Sequence, residues 1–243
     1  MPTRDEYIQV IEPILDEFSA KPADAWNGIY RLLLWYESGY PHIVEANELK
    51  KMLWGERARM VEGELAKMFD CEPHQVRYRV GRLFHHQSFK RMQIQNPLGI
   101  AFTLSLTRLL KKFSGSAGYD FHTEEAIGRS VFIGLKDPPR RASDIVVIRG
   151  DDEVAIISAK WSLRHDRLKD MLDECAYFRV VRPSLKFYAA TNEYMPARLA
   201  KLLIDRCIED VFHIKRSLVM LVNNDDTRLA SIRDLSELFA PFQ

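Results

Sequence analysis

The chain has 243 residues, enough for one or two domains with a sizeable core; 47% are apolar and 28% charged, as in ordinary globular proteins. A net charge of +1 means that bulk charge does not announce nucleic acid as a partner. The three cysteines (Cys71, Cys175, Cys207) are widely spaced and contain no Cys-x-x-Cys, so neither a disulfide framework nor a zinc site is indicated.

The start, Met1-Pro2-Thr3-Arg4-Asp5-Glu6, lacks a basic region followed by an apolar run, and no stretch reaches membrane-spanning length. A cytoplasmic protein with no membrane partner is expected. Residues 5–20 and 24–38 carry helical periodicity, with Ile8, Ile11, Ile14, Leu15 and Phe18 on one stripe. Trp26, Tyr30, Leu33, Leu34 and Tyr36 continue it, more as core than as a binding platform. Within 48–84, Glu64 to Cys71 is a helix with a tight turn near Asp70-Cys71, and Pro73 opens a second helix with Val76 and Val80 inward. The pair resembles a helix-turn-helix, which would present His74, Gln75, Arg77, Tyr78 and Arg79 to phosphates and base edges; a helical pair that simply packs is the rival. The charge distribution here suits either a solvated face or a phosphate-facing surface. Between Glu72 and Asp120 there is no acidic residue, while Arg77, Arg79, Arg82, Lys90, Arg91, Arg108, Lys111 and Lys112 all fall there.

The break Gln95-Asn96-Pro97-Leu98-Gly99 places a boundary near residue 93, dividing an all-α domain (1–92) from a second domain (93–243). The second begins with a helix from about Leu98 to Phe113 and a flexible Ser114–Gly118 loop. A strand from Arg129 to Leu135 follows, ended by Asp137-Pro138-Pro139. Ile145–Ile148 and Val154–Ile157 are β-branched runs separated by Arg149-Gly150-Asp151-Asp152-Glu153, which reads as a β-hairpin. Helical periodicity returns from about Arg167 to Arg179, burying Leu168, Met171, Leu172, Cys175 and Phe178. Then come a strand (Leu185–Thr191), a helix (Pro196 to about Ile208), a strand (Ser217–Val222) and a closing helix (Ile232–Phe239). This order implies an α/β fold, a mixed sheet flanked by helices.

The chemistry concentrates between Ser143 and Glu174. Alternation along a strand puts Ser158 and Lys160 on one face and turns Ala159 away, while Asp144 opens the first strand of the hairpin. Cleaving a phosphodiester requires an activated water and stabilised charge on phosphate and leaving oxygen. Mg²⁺ supplies both and is held by a few carboxylates plus water and substrate oxygens. Asp144 is the first candidate ligand. Ser158 stands where a second carboxylate would serve, and Glu174, on the helix packed against the sheet, can fill that gap. Lys160 would orient the water or stabilise the phosphate.

These residues resemble the PD-(D/E)xK nucleases. Within them they are similar to the type II restriction endonucleases of the CCGG-recognising group, which put Ser at the second strand carboxylate and borrow a Glu from the next helix. Ser158-Ala159-Lys160, with Glu174 fourteen residues beyond Lys160, has that arrangement. Arg164-His165-Asp166-Arg167 matches the group's Arg-x-Asp-Arg recognition element, and the helical segment ahead of the nuclease is most similar to the BsaWI-like enzymes. The resemblance implies Mg²⁺-dependent hydrolysis of double-stranded DNA at a CCGG-containing site. Asp144 and Glu174 would hold metal, Lys160 and Ser158 complete the catalytic set, and Arg164, Asp166 and Arg167 read bases. Arg77 and Arg79 would add DNA contacts. Arg pairs bidentately with guanine O6 and N7, and Asp accepts from cytosine N4, so the assignment is chemically sound. A homodimer, or a higher oligomer, would read a palindrome. Two positions depart from the group: Ser143 replaces its usual Pro, and Thr103 stands where many relatives carry a Glu.

Other readings compete. Asp144 as a turn cap, Lys160 as a snorkelling lysine, Glu174 as an ordinary exposed helix residue and Arg164/Asp166/Arg167 as a surface ion-pair cluster each serve singly, and together they need several coincidences. His165 is expected to be a phosphate contact or a bystander, and His85 and His86 surface residues. Two rival functions stand beside the restriction enzyme: a DNA-binding regulator whose nuclease-like domain does not cut, and a less specific repair-type nuclease.

Overall fold

The computed structural model describes residues 21–26, 28–30, 66, 71–72, 74–75, 95–123 and 143–243. The chain divides into two compact units, Met1–Ser105 and Leu106–Gln243. In the first, residues 22–26 and 28–30 are helical, with Ala25, Trp26, Ile29 and Tyr30 buried. The Trp26 ring packs at 5.7 Å on Phe102, so this aromatic is core, as its helical spacing implies. Of the helix-turn-helix segment, Ala66 is helical and buried, and its carbonyl accepts from the Cys71 backbone N–H. Arg77 and Arg79, the expected helix at 5–20 and the expected strand at 129–135 lie outside the described residues.

The described fold is mixed α/β. Helix α1 (Gln95–Ser114) leads through a short 3-10 turn (Gly115–Ala117) and Gly118, at φ 80°, into strand β1 (Tyr119–Thr123). The expected loop is thus a tight corner. Strands β2 (Ile145–Arg149) and β3 (Asp152–Lys160) form the expected hairpin around Gly150, whose φ of 63° is the left-handed value glycine tolerates. Helix α2 (His165–Val181), strand β4 (Lys186–Thr191), helix α3 (Pro196–Ile204) and strand β5 (Asp210–His213) follow. Helix α4 (Arg216–Val222), the two-residue strand β6 (Arg233–Asp234) and a 3-10 helix (Leu235–Phe242) complete the unit.

The six strands form one sheet in the order β1 to β6. β1/β2 and β2/β3 are antiparallel; β3/β4, β4/β5 and β5/β6 are parallel and joined by helices, the crossover a parallel pair needs. On one face, Val146, Ile156, Phe187, Ala189 and Val211 pack against Leu168, Met171, Cys175 and Phe178 of α2 and Leu202 of α3. Elsewhere in the unit, Tyr119, Phe121 and Tyr188 each meet the Phe242 ring edge-on at 5.5–5.9 Å.

Three expectations for the second half are corrected. Ser217–Val222 is helix α4, and the strand of this region is Asp210–His213 instead. A short apolar run has no period of its own to distinguish buried helix from strand. Here the chain turns through two left-handed residues, Asn224 (φ 52°) and Asp225 (φ 51°), just past the helix C-cap Asn223. Ile232–Phe239 is a short strand pairing with β5 and then a 3-10 helix, opened by a capping box between Asp234 and Glu237 and containing Pro241. Cys175 and Cys207 form a disulfide at a Cα separation of 5.9 Å, which their wide spacing gave no reason to expect.

Candidate functional site

Sheet alternation builds the site. Ile156, Ser158 and Lys160 follow one another on the face of β3 that packs under α2, and Val146 continues that face on β2. Asp144 immediately precedes β2, where Ile145 pairs with Ile157, and so arrives beside Ser158. Its side chain, 9% exposed, is enclosed by donors. Oδ2 accepts from the Ser158 hydroxyl at 3.1 Å and the Ala159 backbone N–H at 2.8 Å. The Lys160 ammonium spans both oxygens, at 2.8 Å from Oδ1 and 2.7 Å from Oδ2. Ser158, fully buried, and Lys160, partly buried, are therefore joined through one carboxylate.

Glu174 arrives from α2. Its neighbour Cys175 belongs to the buried stripe of the helix, which leaves Glu174 half-buried at the stripe's edge. The Ser143 hydroxyl donates to Glu174 Oε1 at 2.5 Å, so the carboxylate is held one residue away from Asp144 along the chain. Asp144, Ser158, Lys160 and Glu174, separated by up to thirty positions in sequence, are thus linked through two short hydrogen-bonded groups.

The proposed recognition residues sit where α2 begins. Arg164 is its N-cap, and its guanidinium pairs with Asp166 at 3.1 Å; the two side chains are 40% and 62% exposed. Arg164 Nε is buried and lacks a hydrogen-bond partner among the described residues. His165 is exposed and Arg167 half-buried. The connection to β3 is fixed by a residue that sequence reasoning missed. Glu193, just past β4, accepts from the Leu163 backbone N–H at 3.0 Å and from Arg198 at 3.1 Å. It also accepts from the backbone N–H groups of Tyr194 and Met195, both at 2.9 Å. A polar Thr191-Asn192-Glu193 run directly after an apolar strand was the available signal.

His213 was missed too. Lys215 donates its backbone N–H to His213 Nδ1 at 3.0 Å, so the ring proton lies on Nε2, which donates to the Glu193 carbonyl at 3.0 Å. Burial pushes this imidazole down to about 4, against the weaker opposing pull of its hydrogen bonds and Asp234. It is a neutral strut. Lys160, Thr191 and His213 end β3, β4 and β5, so the polar residues collect at the carboxyl ends of parallel strands, where open α/β sheets bind ligands.

Among the described residues no group of three or more His, Cys, Asp or Glu side chains comes together to hold a metal ion. The oxygen donors of Asp144 and Glu174 still suit Mg²⁺, which takes one or two carboxylates and completes its shell with water and phosphate oxygens. No described helix is long and apolar enough to cross a membrane. Comparison with protein-family models, curated proteins and solved structures yields no match for this chain.

Proposed function

We propose that the chain is a Mg²⁺-dependent, sequence-specific endodeoxyribonuclease of the PD-(D/E)xK type, hydrolysing double-stranded DNA at a CCGG-containing site. One observation carries the reading. Asp144 contacts Ser158 and Lys160 directly, while Glu174 is tied to Ser143 next to it. A surface turn cap or a stray lysine would not need this convergence of three elements.

In the proposed mechanism Asp144 and Glu174 hold Mg²⁺, and the Ser158 hydroxyl and Ala159 N–H keep the Asp144 carboxylate in one orientation. A Mg²⁺ held there would supply positive charge at the phosphate and lower the pKa of water. Lys160, released from Asp144, orients the attacking water and offsets charge building on the phosphate oxygens. Attack by water would displace one ester oxygen of the phosphodiester directly, with no covalent enzyme intermediate, the departing alkoxide taking up a proton from solvent. Arg164, Asp166 and Arg167, at one end of α2, read guanine and cytosine edges in the major groove. A twofold dimer would present two such ends to a palindrome.

A second reading takes support from the Arg164–Asp166 pair itself, since two side chains that satisfy each other on the surface need not read bases. The enzyme would then be a less specific nuclease using the same catalytic residues. Incubating unmethylated phage-length DNA with protein and Mg²⁺ separates the possibilities. Discrete fragments are expected, and mapping their ends gives the site. A smear would favour the less specific nuclease. Intact DNA that is shifted on a gel would overturn the enzyme reading in favour of a regulator.

A further inference from the structure

We propose that Ser143 is a positioning residue for Glu174, its hydroxyl fixing the helix-borne carboxylate for metal capture beside Asp144. The inference rests on the nuclease reading and adds to it a residue whose role the catalytic set leaves open. Ser143 is 1% exposed, and its hydroxyl is committed to Glu174 Oε1 at 2.5 Å, the length of a charge-assisted O–H···O⁻ bond. The two residues come from different elements: Ser143 leads into β2, and Glu174 lies in the third turn of α2.

Asp144 and Glu174 are not held alike. Asp144 has four donor contacts, from Ser158, Ala159 and both faces of the Lys160 pair, so its orientation is set by β3. Glu174 stands on a long side chain at the half-buried edge of a helix, and such a side chain holds substantial rotamer freedom unless something pins it. The Ser143 bond links it to the segment carrying Asp144. It uses one carboxylate oxygen and constrains the position of the other. Groups that orient metal ligands from behind in this way typically change metal affinity by about 10–100-fold when removed.

The test uses the full chain with Ca²⁺ alone as a non-cleaving probe, titrated calorimetrically, and Mg²⁺ concentration series in the cleavage assay. Ser143→Ala is expected to weaken Ca²⁺ binding and raise the half-saturating Mg²⁺ roughly tenfold, with kcat at saturating Mg²⁺ little changed. Ser143→Thr, which keeps the hydroxyl, should restore both. In a Glu174→Gln background, Ser143→Ala should change Ca²⁺ binding no further. A purely structural serine would lower thermal stability in both backgrounds and leave metal half-saturation alone, and that result would overturn the proposal. If Ser143→Ala does not fold, Ser143→Cys, close in size and a weak donor, carries the same comparison. Wild-type protein that neither binds Ca²⁺ nor cuts would sink the nuclease reading and this inference with it. A wild type that does both, matched by Ser143→Ala, would sink the inference alone.

Discussion

Lys160 contacts both oxygens of the Asp144 carboxylate, so under the proposed mechanism its ammonium and Mg²⁺ would compete for one ligand. Lys160→Ala should therefore lower cleavage by about 10²–10⁴-fold, the usual scale for losing a proton-handling or charge-stabilising group, while Ca²⁺ binding is retained or tightened. Ca²⁺ affinity that falls together with activity would mean the lysine supports the ligand geometry instead of competing for it. His213 gives a prediction about stability. Its folded pKa of about 4 lies below the ordinary 6.5 because burial disfavours the charged ring. The unfolded chain thus takes up the proton first, so the stability this neutral ring contributes is fully present above pH 6.5 and lost as pH falls from there through about 4. The loss amounts to about 3 kcal/mol at most, from 1.36 kcal/mol per unit. His213→Gln should flatten the melting temperature between these pH values, and an unchanged slope would show that other groups carry the acid lability. The meeting of Asp144 with Ser158 and Lys160 was legible from strand alternation, and Glu174 became legible through the resemblance to a nuclease group. Glu193 and His213 were not, since their partners are backbone groups brought in by neighbouring strands.

At the level of elements, the β2–β3 hairpin and the buried stripe of α2 follow from period and turn chemistry, and both were readable. Strand β1 also alternates, with Tyr119, Phe121 and Thr123 more buried than Asp120, but it follows directly on a Gly-rich corner that reads as loop. Strand β5 contributes only Val211 and Phe212 as apolar residues, too few to stand out against the longer run that forms α4. The Cys175–Cys207 disulfide ties α2 to the segment between α3 and β5, closing a separation of 32 residues. In the chain-entropy view such a loop is stabilised by about 3–4 kcal/mol, and reducing agent should lower the denaturation midpoint accordingly. Thiol titration of the unfolded, unreduced chain should then find Cys71 alone reactive. Three reactive thiols would show that the pair stays reduced and serves only as packing, the state a reducing cytoplasm favours. Glu174 adjoins this bridge in sequence, so cleavage should be assayed in both redox states.

Across the whole molecule, the sheet gathers its polar residues at the carboxyl ends of β3, β4 and β5 and sends α2 away from that edge, with Arg164 and Asp166 at its start and Glu174 in its third turn. The sequence made the α/β class readable, because it depends on local runs joined by short connections. Which strand neighbours which was not readable, because pairing is decided by contacts across the sheet. Catalysis and base recognition would meet on one helix and the strand before it, which is economical for an enzyme that must cut only where it reads. The most direct measurement is Mg²⁺-dependent cleavage of a synthetic duplex bearing one CCGG, beside the same duplex with that site scrambled, by the wild type and by Glu174→Ala. Cutting of the CCGG duplex alone, by the wild type alone, is the predicted result. Intact DNA with the wild type, or equal cutting by Glu174→Ala, would contradict the account.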